Sequence, residues 1–249
     1  MSSIQSAGME KEDRKLDLRE KGAVKNGEAQ FLDQRLFIQI QVFTGCEDLK
    51  ALEHPLENLK FPAVLYENLH DPKGIALLTM SQNPEHFFTR TRPLFSSRPW
   101  AQLSLKPDYS FFGRTYSLGY EPNLEDWLLK RPQRVILDER FPWAVWYPLR
   151  RTGAFSRLSH QEQMQILKEH GQIGRLFGDS GLAQDIRLSC TGLDQNDNDF
   201  VIGLIGKELF PLSALVEKMR PTQQTSTYIQ NMRPFFIGRA VWKSPKMED

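Results

Sequence analysis

The sequence predicts an α+β fold: two ferredoxin-like modules in tandem, forming a largely antiparallel β-sheet core flanked by helices. Three observations carry this. The stretch from Trp143 to Gly238 runs strand, helix, strand, strand, helix, strand, which is the split βαβ order. The stretch from Leu36 to Lys130 is compatible with the same unit, though less cleanly. At 249 residues, 40% of them hydrophobic and 25% charged, the chain has the length and composition for one large domain or two small ones with a buried core. The expected division is a charged tail over 1–28, an N-terminal module over 29–131 and a C-terminal module over 132–249.

The tail is expected to stay mobile, because Glu10, Lys11, Glu12, Asp13, Arg14 and Lys15 bring charge without enough apolar surface to offset ordering entropy. The first strand falls at Leu36 to Phe43, where β-branched and aromatic residues concentrate. Ala63 to Tyr66 and Gly74 to Met80 read as a strand pair, with Asp71-Pro72-Lys73-Gly74 as the turn. A short helix start at Pro84 to Phe88 and a strand at Tyr109 to Tyr116 follow. Leu124 to Lys130 reads as helical and Pro132 as its end.

In the second half, Trp143 to Tyr147 is a strand and Ser159-His160-Gln161-Glu162 is a capping box that opens a helix. Met164, Leu167, Ile173 and Phe177 recur at helical spacing and define its apolar face. Strands at Ile186 to Thr191 and Phe200 to Ile205, a helix at Pro211 to Met219 and a strand at Phe235 to Gly238 complete the module.

The formal net charge of +1 gives no bulk electrostatic case for nucleic acid or an anionic membrane. No apolar run approaches the length of a membrane-spanning helix, which takes about 18 residues or more, and the N-terminus lacks the hydrophobic centre of a secretory signal. Cys46 and Cys190 lack metal-type spacing and read as reduced thiols of a cytoplasmic protein. There is no Gly-rich phosphate loop, no Gly-x-Ser-x-Gly elbow and no paired-cysteine site. His86, in Pro-Glu-His-Phe-Phe, has no ligand partner at metal spacing and reads as structural.

One position stands out. His170 shares a helix face with Ile166, Leu167, Ile173 and Gly174. Taken alone, such a histidine is ordinarily a core residue bonded to backbone. Gly171 and Gly174 argue for more, since each glycine costs about 1 kcal/mol in a helix interior and two together suggest close approach by something bulky. A haem, held through iron by a proximal histidine, needs such access.

These residues, with their ordered companions, resemble the chlorite dismutase-like superfamily, and within it the coproheme decarboxylases. The resemblance covers roughly residues 134–240 and rests on several motifs in order. They are Tyr147-Pro148-Leu149-Arg150-Arg151, Glu169-His170-Gly171-Gln172-Ile173-Gly174-Arg175, Thr191-Gly192-Leu193-Asp194 with Asp199-Phe200, Glu217-Lys218-Met219-Arg220, and Pro234-Phe235-Phe236-Ile237-Gly238. It implies a fold of the dimeric α+β barrel type, haem b or coproheme as cofactor, coproheme and hydrogen peroxide as substrates, and a homopentamer. By the same resemblance, His170 is the proximal iron ligand beside Gly174, and Tyr147 is the tyrosine that attacks a coproheme propionate. Arg151 stands where the family has lysine; it keeps the positive charge but is a poor proton donor. By the same resemblance Arg134 falls at a propionate-binding arginine, Thr225 at a propionate-bonding serine, and Arg220 at a cofactor-binding arginine on the last helix. Counting back from Thr191-Gly192 puts Asp185 at the distal position, with Gln184 beside it and Arg187 two residues on; a carboxylate there disfavours chlorite dismutase activity.

Without the resemblance each residue has a plainer reading. Tyr147 is packing beside Trp143 and Trp146, Arg150 and Arg151 are a solvated strand end, and Asp185 is a turn residue. The leading expectation is peroxide-dependent decarboxylation of coproheme. The alternatives are a non-catalytic porphyrin-binding protein of the same fold, motivated by Arg151 and Asp185, and a cofactor-free interaction protein.

Overall fold

The computed structural model describes residues 16–245. Its elements are β1 (Glu20–Lys25), β2 (Glu28–Leu32), β3 (Phe37–Thr44), α1 (Leu49–Leu56), β4 (Ala63–Asn68), β5 (Ile75–Ser81), α2 (Arg92–Phe95), β6 (Ser104–Leu105), β7 (Phe111–Thr115) and α3 (Arg131–Ile136). They continue with β8 (Trp143–Arg151), α4 (Gly153–Ser156), α5 (His160–Asp179), β9 (Gln184–Ser189), β10 (Phe200–Gly206), α6 (Leu209–Met219), β11 (Ile229–Asn231) and β12 (Phe236–Lys243).

Eight strands close on themselves in the order β10-β9-β7-β3-β5-β4-β12-β8, with β8 pairing back to β10 and every pairing antiparallel. Closure leaves no free long edge. Within each half the four main strands take the 4-1-3-2 order, β7-β3-β5-β4 and β12-β8-β10-β9. The halves are stitched at β7–β9 and β4–β12, so strands from both halves build one sheet, with helices against it.

Strand alternation sorts side chains to two sides. Inward residues include Ile38, Ile40, Leu78, Ala144, Trp146, Ile186, Leu188, Val201 and Phe236, all buried in one cluster. Trp146 is fully buried and fits only because its cross-strand partner is Gly203; a Cβ there would lie 2.4 Å from the indole. Outward residues of the second half, Val145, Tyr147, Leu149 and Leu204, pack instead under α5 and α6 with Phe177, Leu212 and Leu215.

Several local expectations need correction. Residues 20–32, expected to belong largely to the mobile tail, form the β1–β2 hairpin, while 1–15 lie outside the described residues. The reason is local: Asn26 and Gly27 take positive φ (52° and 83°), the Asn-Gly hairpin turn. Tertiary ties then hold it, with the Glu20 carboxylate accepting from Ser117 and pairing with Arg114 and Arg35. Pro132 does not end its helix. A wide π-helical turn at Asp126–Lys130 precedes α3, so Pro132 sits in the first turn, where its missing N–H costs little. In α5 the capping box is present, with Ser159 and Glu162 satisfying each other's backbone N–H groups, but Met164 is 41% exposed. The buried face is set by Ile166 and Phe177.

Candidate functional site

The outward face of β8, β10 and β9 carries Tyr147, Arg151 and Asp185 from among the residues singled out from the sequence, together with Arg187. Register places Tyr147 opposite Ile202, and Ile202 opposite Arg187, so these three side chains form a row across three strands. With neighbouring strands about 4.8 Å apart, Tyr147 and Arg187 are separated by about 10 Å on one face. The next row is Val145, Leu204 and Asp185. Tyr147 is 6% exposed and its ring stacks on Phe235 at 4.6 Å between centroids. Burial, with the charge of Asp185 adding to it, pushes its phenol well above the ordinary tyrosine value, so the hydroxyl keeps its proton at neutral pH.

Two rows along β8, the Arg151 guanidinium sits between two rings, 4.4 Å from the Phe155 centroid and 4.7 Å from that of Phe200. Its backbone N–H donates to the Asp199 carboxylate at 2.7 Å, which fixes the strand end. Its Nε is buried without a hydrogen-bond partner among the described residues. Burial lowers its pKa from the free value, yet an arginine still stays charged. A half-buried cation whose buried Nε is an unused donor is set up to receive an anion.

Asp185 is already engaged. Its carboxylate pairs with Arg131 at 3.3 Å and with Arg187 at 3.2 Å. The Trp127 ring lies against both guanidinium groups, at 4.7 Å for Arg131 and 4.9 Å for Arg187. Gln184 accepts from Arg131 and donates to the Gly178 carbonyl, tying β9 to the end of α5. Asp185, expected at the distal position, lies on the same outward face as Arg187 and is its counter-ion, and Arg187 is the residue in register with Tyr147. Three arginines, Arg131, Arg151 and Arg187, against two aspartates, Asp185 and Asp199, leave this face with a net positive charge.

His170 comes from α5 opposite that face. Burial first, and then the charges of Arg151 and Arg187, push its pKa down to about 4, so the imidazole is neutral at pH 7. Its Nδ1 lies 3.3 Å from the Thr222 hydroxyl, and Nε2 has no hydrogen bond among the described residues. Among those residues no cluster of three or more His, Cys, Asp or Glu is placed to hold a metal ion. A lone neutral imidazole suits an iron whose other ligands arrive with it, as in a porphyrin.

The remaining expected residues are placed unevenly. Arg220 caps the end of α6, and its charge reaches Tyr147 and favours the phenolate. Thr225 is half-buried and joins Thr222 at 3.3 Å. Arg134 is exposed on α3 and forks onto Asp126 at 2.9 and 3.2 Å, which engages its guanidinium. Gly171, expected to keep space open for a ligand, faces solvent, with nothing within 4 Å of where a Cβ would lie. Gly174 faces the Met219 methyl, which a Cβ would meet at 3.5 Å, an ordinary van der Waals contact. Arg187, Thr222, Asp199 and Trp127 were not nominated as site residues. The period-2 alternation of β9 carried a signal for Arg187, which shares its face with Asp185.

A cavity of about 430 Å³ lies elsewhere, lined by Glu67, Asp71, Lys73, Trp143 and Arg239 among others. It shares no lining residue with the His170 face and mixes both charges.

The chlorite dismutase family model matches residues 73–241. Among solved structures, a haem-binding protein from Thermus thermophilus superposes with a TM-score of 0.63 at 18% identity, covering 84% of this chain and 92% of that one. A single-site mutant of chlorite dismutase from Candidatus Nitrospira defluvii gives a TM-score of 0.64 at 12% identity, covering 82% and 90%. No curated protein matches the sequence. The family model takes in well over half the chain, including β8, α5, β9 and β10 with Tyr147, His170 and Arg187, and the chain belongs to the chlorite dismutase family.

Proposed function

We propose that this protein binds an iron porphyrin through His170 and decarboxylates coproheme propionates with hydrogen peroxide, giving haem b. The observation that carries the reading is the pairing of a neutral imidazole on α5 with a cationic sheet face that holds a buried, proton-bearing Tyr147. A substrate with several carboxylates fits Arg151 and Arg187 better than an apolar ligand would, and the unpartnered Arg151 Nε gives one carboxylate a place. Arg220 and Thr225, at the end of α6 and just after it, extend the polar rim.

When bound, the iron and peroxide supply the oxidising power. The protein's part is placement. His170 presents one nitrogen to the metal. Arg151, held between two rings, anchors a propionate as a fixed positive charge. Tyr147 holds its proton on Oη, which makes it a donor of a hydrogen atom rather than a standing phenolate, and Phe235 stacking fixes its ring. Arg187 stands in register with Tyr147 and offers a cation to an anionic oxidant or carboxylate.

The second reading is a non-catalytic porphyrin-binding protein. It is favoured by Arg151, because an arginine packed between rings cannot deliver a proton as lysine can. Purified protein mixed with coproheme and peroxide separates the two. Loss of carbon dioxide from the porphyrin, followed by mass spectrometry, supports decarboxylation. A His170-dependent Soret band without that loss supports the binding protein. No Soret band with either haem or coproheme overturns both.

A further inference from the structure

We infer that Thr222 is a positioning residue that fixes His170 as the Nδ1-protonated tautomer and thereby leaves Nε2 as the metal-facing nitrogen. The inference rests on the reading of His170 as the iron ligand, but its central claim concerns the imidazole alone.

Thr222 is 2% exposed, so water does not arbitrate its hydrogen bonds. Its hydroxyl has one proton and two lone pairs. The nearest partner of Oγ1 is the Met219 carbonyl at 2.7 Å, which can only accept. Met219 is the last residue of α6; its carbonyl lacks an intrahelical donor and accepts both the Thr222 backbone N–H at 3.2 Å and, more closely, the hydroxyl. The Thr222 proton is therefore committed to the helix end. What Oγ1 still offers is lone pairs, and the Thr225 backbone N–H donates to it at 3.4 Å. The remaining neighbours, both at 3.3 Å and farther than the Met219 carbonyl, are the Thr225 hydroxyl, which can donate as well as accept, and His170 Nδ1. If that nitrogen lacked a proton, two lone pairs would face each other in a site closed to water. With the proton on Nδ1 the contact is a hydrogen bond, and the free lone pair moves to Nε2.

The arrangement is braced from both sides. The Gln223 backbone N–H donates to the Glu169 carboxylate at 3.0 Å, so the residue after Thr222 is tied to the residue before His170. That tie holds the turn after α6 against α5. A free neutral imidazole in water carries its proton mainly on Nε2, so the tautomer a metal needs here has to be imposed. Orientation of a ligating histidine through its other ring nitrogen is the general role of such partners.

The test uses the full-length chain, first without porphyrin. Two-bond proton–nitrogen NMR spectra of protein labelled at histidine nitrogen, with His170 assigned by comparison with His170→Gln, report which nitrogen bears the proton. Wild type and Thr222→Ser are expected to show Nδ1–H, whereas Thr222→Val shifts His170 toward Nε2–H. Haem titration follows. Thr222→Val weakens binding by roughly 10–100-fold, as outer partners of metal-bound histidines commonly do, and Thr222→Ser restores most of it. A wild-type spectrum with Nε2–H, or an unchanged tautomer in Thr222→Val, overturns the inference even if haem binds. Haem that binds equally well to His170→Gln overturns the iron-ligand reading instead, and the metal-free spectra still decide the tautomer.

Discussion

The neutral state of His170 has a measurable consequence for stability. Its folded-state pKa is pushed down to about 4 from 6.5, mainly by burial and then by Arg151 and Arg187. The unfolded chain therefore binds a proton more readily than the folded one between those values. The direction follows: the contribution is fully present above the unfolded pKa and is lost as pH falls toward the folded one. At pH 5 the unfolded imidazole is almost wholly protonated while the folded one is not, a difference of about 2 kcal/mol relative to pH 8. The group is partly solvated, so this is an upper figure. The assay is urea denaturation of porphyrin-free wild type and His170→Gln at pH 5 and pH 8. The stability difference between the two proteins is expected to move by about 2 kcal/mol in favour of the glutamine variant at the lower pH. A difference that stays constant across that range would mean the folded imidazole titrates normally, and the account of its buried, cation-flanked setting would be wrong.

Three further outcomes follow from the geometry. Tyr147→Phe is expected to abolish coproheme turnover while porphyrin binding, read from the Soret titration, stays within about threefold, because only the hydroxyl leaves and the ring stack with Phe235 remains. Asp185→Ala leaves Arg131 and Arg187 facing each other without their shared counter-ion; in this half-buried setting the loss is about 1–3 kcal/mol by urea denaturation, and an unchanged midpoint would contradict it. Gly203→Ala puts a methyl 2.4 Å from the Trp146 ring in the closed core, which costs about 1–3 kcal/mol or more; a lowered melting temperature with altered tryptophan fluorescence is the expected signature.

Much of the architecture was written locally. Ser159 and Glu162 announced the start of α5, Asp71 to Gly74 announced a turn, and the order of strands and helices between Trp143 and Gly238 was enough for a split βαβ unit. The hairpin at Asn26-Gly27 was equally local, but the charge of the preceding segment masked it. Pro132 misled because proline stops a helix only from its interior, and the wide turn before it places it at a start.

The site divides along the same line. Sequence alone determined that His170 lies on a helix, that Tyr147 ends an aromatic strand run, and that their motifs resemble one family. Only the tertiary structure decided which residues meet. Arg187 stands in one row with Tyr147, across Ile202, because β8, β10 and β9 pair in one particular register, and a slip of one residue would turn it to the other face. Thr222 reaches His170 across 52 positions because α6 ends against α5. Helices and turns are fixed by contacts a few residues apart, which a sequence displays directly. Register and helix docking are fixed by closure of the whole barrel, and no short stretch of the chain contains that information.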